Sequence, residues 1–204
     1  MIIDKNYKMK PRYEETLKHL NGEVLDIGCH HGIFDVRAIK MGYKVTGLDI
    51  SPNYLKEAEK NAKDSNVELP LIFASLENLP KDKKYDTIVL MEILEHLENL
   101  SENFINIKEL LKEDGTIIIT VPAGFAHYCS DHKNFFFKQE EFERMNKHWV
   151  FDFISKTFIN THCFIEVDGF FNISGFETSV ELKEWGDSTM PSYDFFIVMK
   201  RVKK

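Results

Sequence analysis

Five short, almost wholly apolar runs punctuate the first 122 residues: EVLDIG, KVTGLDI, LPLIF, KYDTIVLM and TIIITVP. A run that is apolar at nearly every position, rather than at every second one, suits a strand buried on both faces. The stretches between these runs carry helical spacing. Residues 11–20 open with Pro11, and residues 33–41 are stopped by Gly42. SPNYLKEAEKNAKD begins with a Ser51 cap and Pro52 at the first helical position. Residues 101–112 place Phe104, Ile105, Ile107, Leu110 and Leu111 on one face, and a DG turn follows. Buried strands alternating with helices predict an α/β fold, a parallel sheet covered on both sides.

After Pro122 the pattern changes. Residues 122–137 read as a long loop and 138–146 as a helix. Residues 162–173 and 193–202 read as strands, with ETSVELKEW a further candidate between them. These would be the last, antiparallel strands of the sheet. Trp149, Phe151, Phe153 and Phe158 lie in an aromatic stretch without a decisive period. Core is the preferred reading for them over an acceptor pocket.

A length of 204 residues suits one domain over residues 1–204. The net charge of -7 argues against a nucleic-acid partner, whose backbone wants a basic stripe. Cys29, Cys129 and Cys163 are odd in number and contain no C-x-x-C, so no disulfide framework is expected. MIIDKNYKMK lacks the apolar core of a signal peptide, and no apolar run approaches the ~20 residues that span a membrane. A cytoplasmic protein without a membrane partner is the expectation. The pattern carries no signal for an oligomeric state.

In open parallel sheets, ligands bind beyond the carboxyl ends of the strands. Three such ends are suggestive. Asp26-Ile-Gly28-Cys29-His30-His31-Gly32 is a turn whose glycines permit close ligand approach. Asp49 ends the next apolar run, placed to accept both hydroxyls of a ribose. FASLENLP follows the third run, placed to flank an adenine. An adenosine cofactor is implied. Gly28, His30 and Ile33 stand at the three glycine positions of a G-x-G-x-x-G pattern, which speaks against NAD.

Taken in order, VLDIGCHHG, VTGLDIS, ASLENLP, KYDTIVLMEILEHL and the TIIITVP strand resemble class I S-adenosylmethionine-dependent methyltransferases, over roughly residues 22–122. The resemblance implies a Rossmann-like, seven-stranded, mostly parallel sheet with one antiparallel strand, and S-adenosylmethionine as cofactor. It implies that Asp26, Gly28, Cys29, Gly32 and the backbone of His30 line the methionine side. Asp49, with Ile50 beside it, would hold the ribose. Ser75 and Leu76 would flank the adenine, and Met91 would lie near the cofactor. There are two departures. His30 stands where the family has its central loop glycine, and Ser75 where an acid is common.

Methyl transfer from an activated donor asks the protein to align and desolvate the acceptor and, for a hydroxyl, to remove a proton. Glu92, Glu95 and His96 would share one face if their segment were helical. The motif resembles the E-x-x-E-H of ubiquinone-biosynthesis O-methyltransferases. It is also similar to that of small-RNA 2′-O-methyltransferases, where it serves as a metal site. The preferred reading is cofactor contact without a metal; the alternative is a divalent ion held by Glu92, Glu95, His96 and His132.

The loop after the fifth run carries His127 and His132. Asp131-His132-Lys133-Asn134-Phe135-Phe136-Phe137 resembles an H-x-x-F-F segment of small-molecule methyltransferases. His132 is the first candidate for a general base, with His127 and His96 as further candidates, against a purely structural role. Tyr7 and Arg12 would close over the cofactor or merely begin a surface helix. Cys29 lacks a base partner and is not read as a nucleophile. His30 and His31, adjacent in a turn, are expected to diverge and to share no ion.

The expected function is methyl transfer to a small molecule, at oxygen, with residues 1–20 and 122–161 covering the acceptor. RNA 2′-O-methylation and a non-catalytic cofactor-binding module are the alternatives.

Overall fold

The computed structural model describes residues 11–79, 81–123, 131–138, 163–185 and 193–202. Five strands, β1 (Glu23–Ile27), β2 (Lys44–Asp49), β3 (Leu71–Phe73), β4 (Tyr85–Met91) and β5 (Leu111–Pro122), alternate with helices. The helices are α1 (Pro11–Leu17), α2 (Ile33–Lys40), α3 (Pro52–Asp64) and α4 (Leu100–Glu109). Two later strands, β8 (Phe176–Glu184) and β9 (Tyr193–Arg201), complete a seven-stranded sheet of order β3-β2-β1-β4-β5-β9-β8. β9 runs antiparallel to both its neighbours, β5 and β8; the pairs among β1 to β5 are parallel. The expected sheet, with its one antiparallel strand, is present.

Each central strand serves two cores because successive side chains point to opposite faces. Leu25 and Ile27, Ile88 and Leu90, Ile117 and Ile119, and Phe195 and Ile197 pack with Phe104 and Ile107 of α4. Val24, Val89, Ile118 and Phe196 pack on the other face with Leu17 of α1 and with Phe34 and Ala38 of α2. This two-sided burial is why the runs are apolar without alternation.

Three local expectations change. The segment 162–173 does not join the main sheet: β7 (Cys163–Glu166) pairs in parallel with β6 (Asn134–Phe137), and a short helix α5 (Val167–Phe170) follows. Residues 134–137 are therefore strand rather than loop, buried along their whole length. Helix α4 stops at Glu109, and the DG lies inside β5, where the pairing with β4 shifts register between Tyr85 and Thr87. ETSVELKEW is a strand of the main sheet, as one of the two readings had it. The helix expected over 138–146 and the aromatic stretch with Trp149, Phe151, Phe153 and Phe158 lie outside the described residues, as do Tyr7 and His127.

Candidate functional site

The carboxyl ends of β1, β2 and β4 open onto one region. After Ile27 the chain turns through Gly28, whose φ of 80° is left-handed, and Gly32, at 67°. The N–H groups of Gly28 and Cys29 both donate to Leu48 O, at 2.7 and 2.9 Å, which pins the loop to β2. His30 takes φ 51°. That is the conformation for which glycine is suited, so the histidine sits in a glycine's backbone position at some cost in strain.

Asp49 compensates for this strain. Its Oδ2 accepts from His30 N at 3.0 Å and its Oδ1 from Ser51 N at 2.8 Å. The carboxylate that ends β2 thus organises the loop that ends β1, and each oxygen keeps acceptor capacity for a further donor. Ile50, beside it, is 69 % exposed. Leu76 is buried in a single 3-10 turn (Leu76–Asn78), and Ser75 precedes it with its Oγ accepting from Asn78 Nδ2 at 3.1 Å. Met91 Sδ lies 3.6 Å from Thr16 Oγ1.

The two loop histidines do not diverge. Their ring centroids are 3.7 Å apart, and the His30 ring lies 3.8 Å from that of Tyr54. His31 Nε2 also approaches Glu57 Oε2 at 3.2 Å. Tyr54 and Glu57 stand on the first turns of α3, so both rings are drawn toward one helix. The reasoning from adjacent turn positions fails because α3 supplies an aromatic surface that attracts both.

Cys29 is buried, and burial followed by the nearby acids Asp35, Asp26 and Asp49 pushes its thiol pKa upward. A neutral thiol is no nucleophile, in agreement with its reading as a loop residue.

At the end of β4 the segment Glu92–His96 is not a continuous helix. Glu92 takes φ 58°, and only Leu94–His96 forms a 3-10 turn. The three side chains therefore do not share a helical face. Glu92 turns to Thr120 Oγ1, which donates to its Oε1 at 2.8 Å, and to Arg12 Nη1, 2.9 Å from its Oε2. Arg12 also reaches Asp194 Oδ2 at 3.1 Å. Burial works against the Arg12 charge, yet Glu92 and Asp194 outweigh it and raise the guanidinium pKa. Asp194 is itself pushed up to about 7, by burial first and then by Glu92.

Glu95 lies near enough to feel the charges of Glu92, Asp194 and Arg12. It is 1 % exposed, its Oε2 has no hydrogen-bond partner, and burial, then Glu92, raise its pKa well above the carboxylate range. Glu95, His96 and His132 each offer one ligand atom, and these atoms all lie within 4.8 Å of one another. The His96 and His132 rings meet edge to face at 4.9 Å, and His96 Nδ1 lies 3.3 Å from Asp131 Oδ2. Glu92, expected as a fourth member, is held elsewhere by Arg12 and Thr120.

The β6 segment fixes this cluster. Lys133 N donates to Glu95 O at 2.6 Å, and Asn134 Nδ2 donates to Leu94 O and Leu97 O at 2.8 and 2.7 Å. Asp35, Thr120, Asn134 and Asp194 join the site without a sequence motif that assigns them a role. Asp35 and Asp194 could have been noticed as lone acids in IFDV and YDFFIV, where every other position is apolar or aromatic. Asn134 falls at a variable position of the H-x-x-F-F segment, and nothing marks Thr120.

The family described as "Methyltransferase domain" matches residues 3–168. The chain belongs to that family. It is 30% identical over 113 residues to the ubiquinone biosynthesis O-methyltransferase of Rickettsia akari, a match covering 55% of this chain and 44% of that protein. The Rickettsia bellii protein of the same name is 31% identical over 111 residues, covering 52% and 46%. The chain thus spans less than half the length of these curated relatives. Among solved structures, the magnesium protoporphyrin IX methyltransferase of Synechocystis, with bound SAM, superposes with a TM-score of 0.60 at 18% identity, covering 95% of this chain and 79% of that one. An N-methyltransferase of Bradyrhizobium japonicum in complex with S-adenosyl-L-homocysteine superposes with a TM-score of 0.59 at 15% identity, covering 99% and 91%. At these identities the superpositions establish the shared Rossmann-like fold.

Proposed function

We propose that this methyltransferase-family chain binds S-adenosylmethionine at the ends of β1, β2 and β4 and transfers its methyl group to the oxygen of a small molecule. The Asp49 hub carries the cofactor half of this reading. One carboxylate holds the His30 backbone in a left-handed turn and keeps lone pairs for a ribose diol. Gly28 and Gly32 let the loop turn tightly against Ile93 and Ala58, Leu76 offers an apolar contact for the adenine, and Ser75 a hydroxyl. When bound, the cofactor supplies a methyl group already activated as a sulfonium substituent.

The chain's own task is then to place a nucleophile and remove its proton. His132 is the group we assign to the proton, with His96 and His127 as further candidates. His132 is 7 % exposed, sheltered from bulk water yet beside His96 and Glu95. The small-molecule reading is supported by the charges around the cluster. Glu92 and Asp131 stand beside Arg12 and Lys133 among the described residues, a balance without the basic stripe that a polyanion needs. No helix among the described residues is long and apolar enough to cross a membrane. We place the enzyme in the cytoplasm.

Calorimetric titration with S-adenosylmethionine and S-adenosylhomocysteine tests the cofactor half; absence of binding by both, in folded protein, sinks it. Labelled-methyl transfer to a panel of hydroxyl-bearing small molecules tests the rest. His132→Ala should abolish transfer while leaving cofactor binding intact, and a chelator should change nothing. Transfer lost with chelator and restored by a divalent ion would instead make Glu95, His96 and His132 metal ligands.

A further inference from the structure

Beneath the cofactor loop two acids are buried side by side. Asp26, near the end of β1, is 2 % exposed, and Asp35, in the first turn of α2, is fully buried. Among the described residues, Asp35 has no side-chain partner other than the Asp26 carboxyl beside it. No carboxylate is left in this condition without a reason, because burying an ionised, unpaired acid is strongly unfavourable.

Among the described residues, the groups around the pair offer no cation. Asp26 faces it from β1, the Cys29 thiol from the loop and Asp49 from the end of β2. From α1, Tyr13 packs its ring 5.7 Å from that of Phe34, next to Asp35 in α2. From α3, Asn61 is neutral and is bonded to His31 O. Burial pushes the Asp35 carboxyl up to about 7, and burial, then Asp35 and Asp49, raise Asp26 as well. Two acids this close share at least one proton, which one carboxyl can donate to the other.

We infer that Asp35 is a positioning residue for the methyl donor: behind Asp26 it helps hold a proton that leaves to solvent when the donor's α-ammonium reaches Asp26. This rests on the S-adenosylmethionine reading above. The exchange balances. One O–H bond of the acid pair breaks, its proton passes to buffer, and the ammonium takes over the neutralising charge. Asp35 touches no ligand in this scheme. It makes the α-ammonium of the donor, rather than its nucleoside, the part whose binding depends on pH.

The test is calorimetry with S-adenosylhomocysteine from pH 6 to pH 8, in buffers of different ionisation enthalpy. The wild-type protein should release close to one proton on binding near pH 7. Its Kd should tighten by up to about tenfold per pH unit at the acid end. Asp35→Asn should flatten that dependence to less than twofold. Binding of 5′-methylthioadenosine, which keeps the nucleoside but lacks the ammonium, should be flat on the wild-type protein.

Wild-type binding without proton release overturns the inference, as does Asp35→Asn keeping the full slope. The same slope with 5′-methylthioadenosine also overturns it, since that ligand lacks the ammonium. If Asp35→Asn fails to fold, the wild-type proton release and the nucleoside comparison decide the matter. Absence of binding at every pH removes the parent reading and this one together, whereas binding without proton release removes this one alone.

Discussion

Arg12 Nη1 lies 2.9 Å from Glu92 Oε2, joining the first turn of α1 to the end of the central strand β4. The contact holds a residue whose backbone is left-handed and whose other oxygen is bonded to Thr120. Glu92 is thereby kept out of the cluster formed by Glu95, His96 and His132. One ion pair thus decides which acids of the E-x-x-E-H motif remain available for chemistry.

Arg12→Ala should destabilise the protein by about 2 kcal/mol or more, since it strands Glu92 and Asp194 without their cation. Arg12→Lys should recover much of this loss, because both contacts run from the single nitrogen Nη1, which an ammonium can replace. Urea denaturation of the two variants measures both. Equal stability of Arg12→Ala and wild type would show that the pair contributes nothing.

Asp49→Ala should weaken S-adenosylhomocysteine binding at least ~10-fold, about 1.4 kcal/mol, by removing the ribose acceptor and releasing the His30 backbone. Isothermal titration reads it. An unchanged Kd would place the ribose elsewhere.

Asn134→Ala removes two hydrogen bonds to the Leu94 and Leu97 carbonyls and should cost roughly 1–3 kcal/mol. It should also lower turnover more than cofactor affinity, because the turn it anchors carries Glu95 and His96. Thermal unfolding and steady-state kinetics separate the two effects. Loss of cofactor binding with turnover intact would contradict it.

The Asp194 carboxyl makes stability depend on pH. Its folded value, about 7, lies above the ordinary 3.8, so the native state binds more protons than the unfolded chain between those values. Stability from this group is therefore complete below about pH 4 and is lost as pH rises toward 7. Denaturation midpoints should fall from pH 5 to pH 8, and Asp194→Asn should shallow that slope whatever it does to the midpoint itself. An unchanged slope would assign the effect to other acids, Glu95 and Asp35 first.

The main sheet was legible because its strands are buried on both faces, and Val24, Leu25 and Ile27 advertise that burial directly. The small sheet was not. NFFF is followed by KQEEF and flanked by polar residues, and its partner strand lies beyond residue 160, a non-local pairing that no local period reveals. The cofactor half was legible for a related reason: Gly28, Gly32 and Asp49 are set by backbone geometry at strand ends. The arrangement at Glu92 is not legible from spacing, which places Glu92, Glu95 and His96 on one face only if the segment is helical. What breaks the helix is the left-handed Glu92, and the contacts that hold it come from Arg12 and Thr120, far away in the chain. His30 and His31 show the same limit, since Tyr54 gathers two rings that a turn alone would spread.

The order β5-β9-β8 has a consequence for how the chain is made. β9 follows β8 in sequence yet lies between it and β5. During synthesis the parallel half of the sheet can assemble while β5 still lacks its neighbour. That neighbour arrives roughly 70 residues later, several seconds at about 5–20 residues per second. Through that interval Ile117, Ile118, Ile119 and Val121 form an open apolar edge, the kind of template on which nascent chains associate. A ribosome-bound chain truncated before Tyr193 is accordingly where chaperone capture of this protein should be strongest.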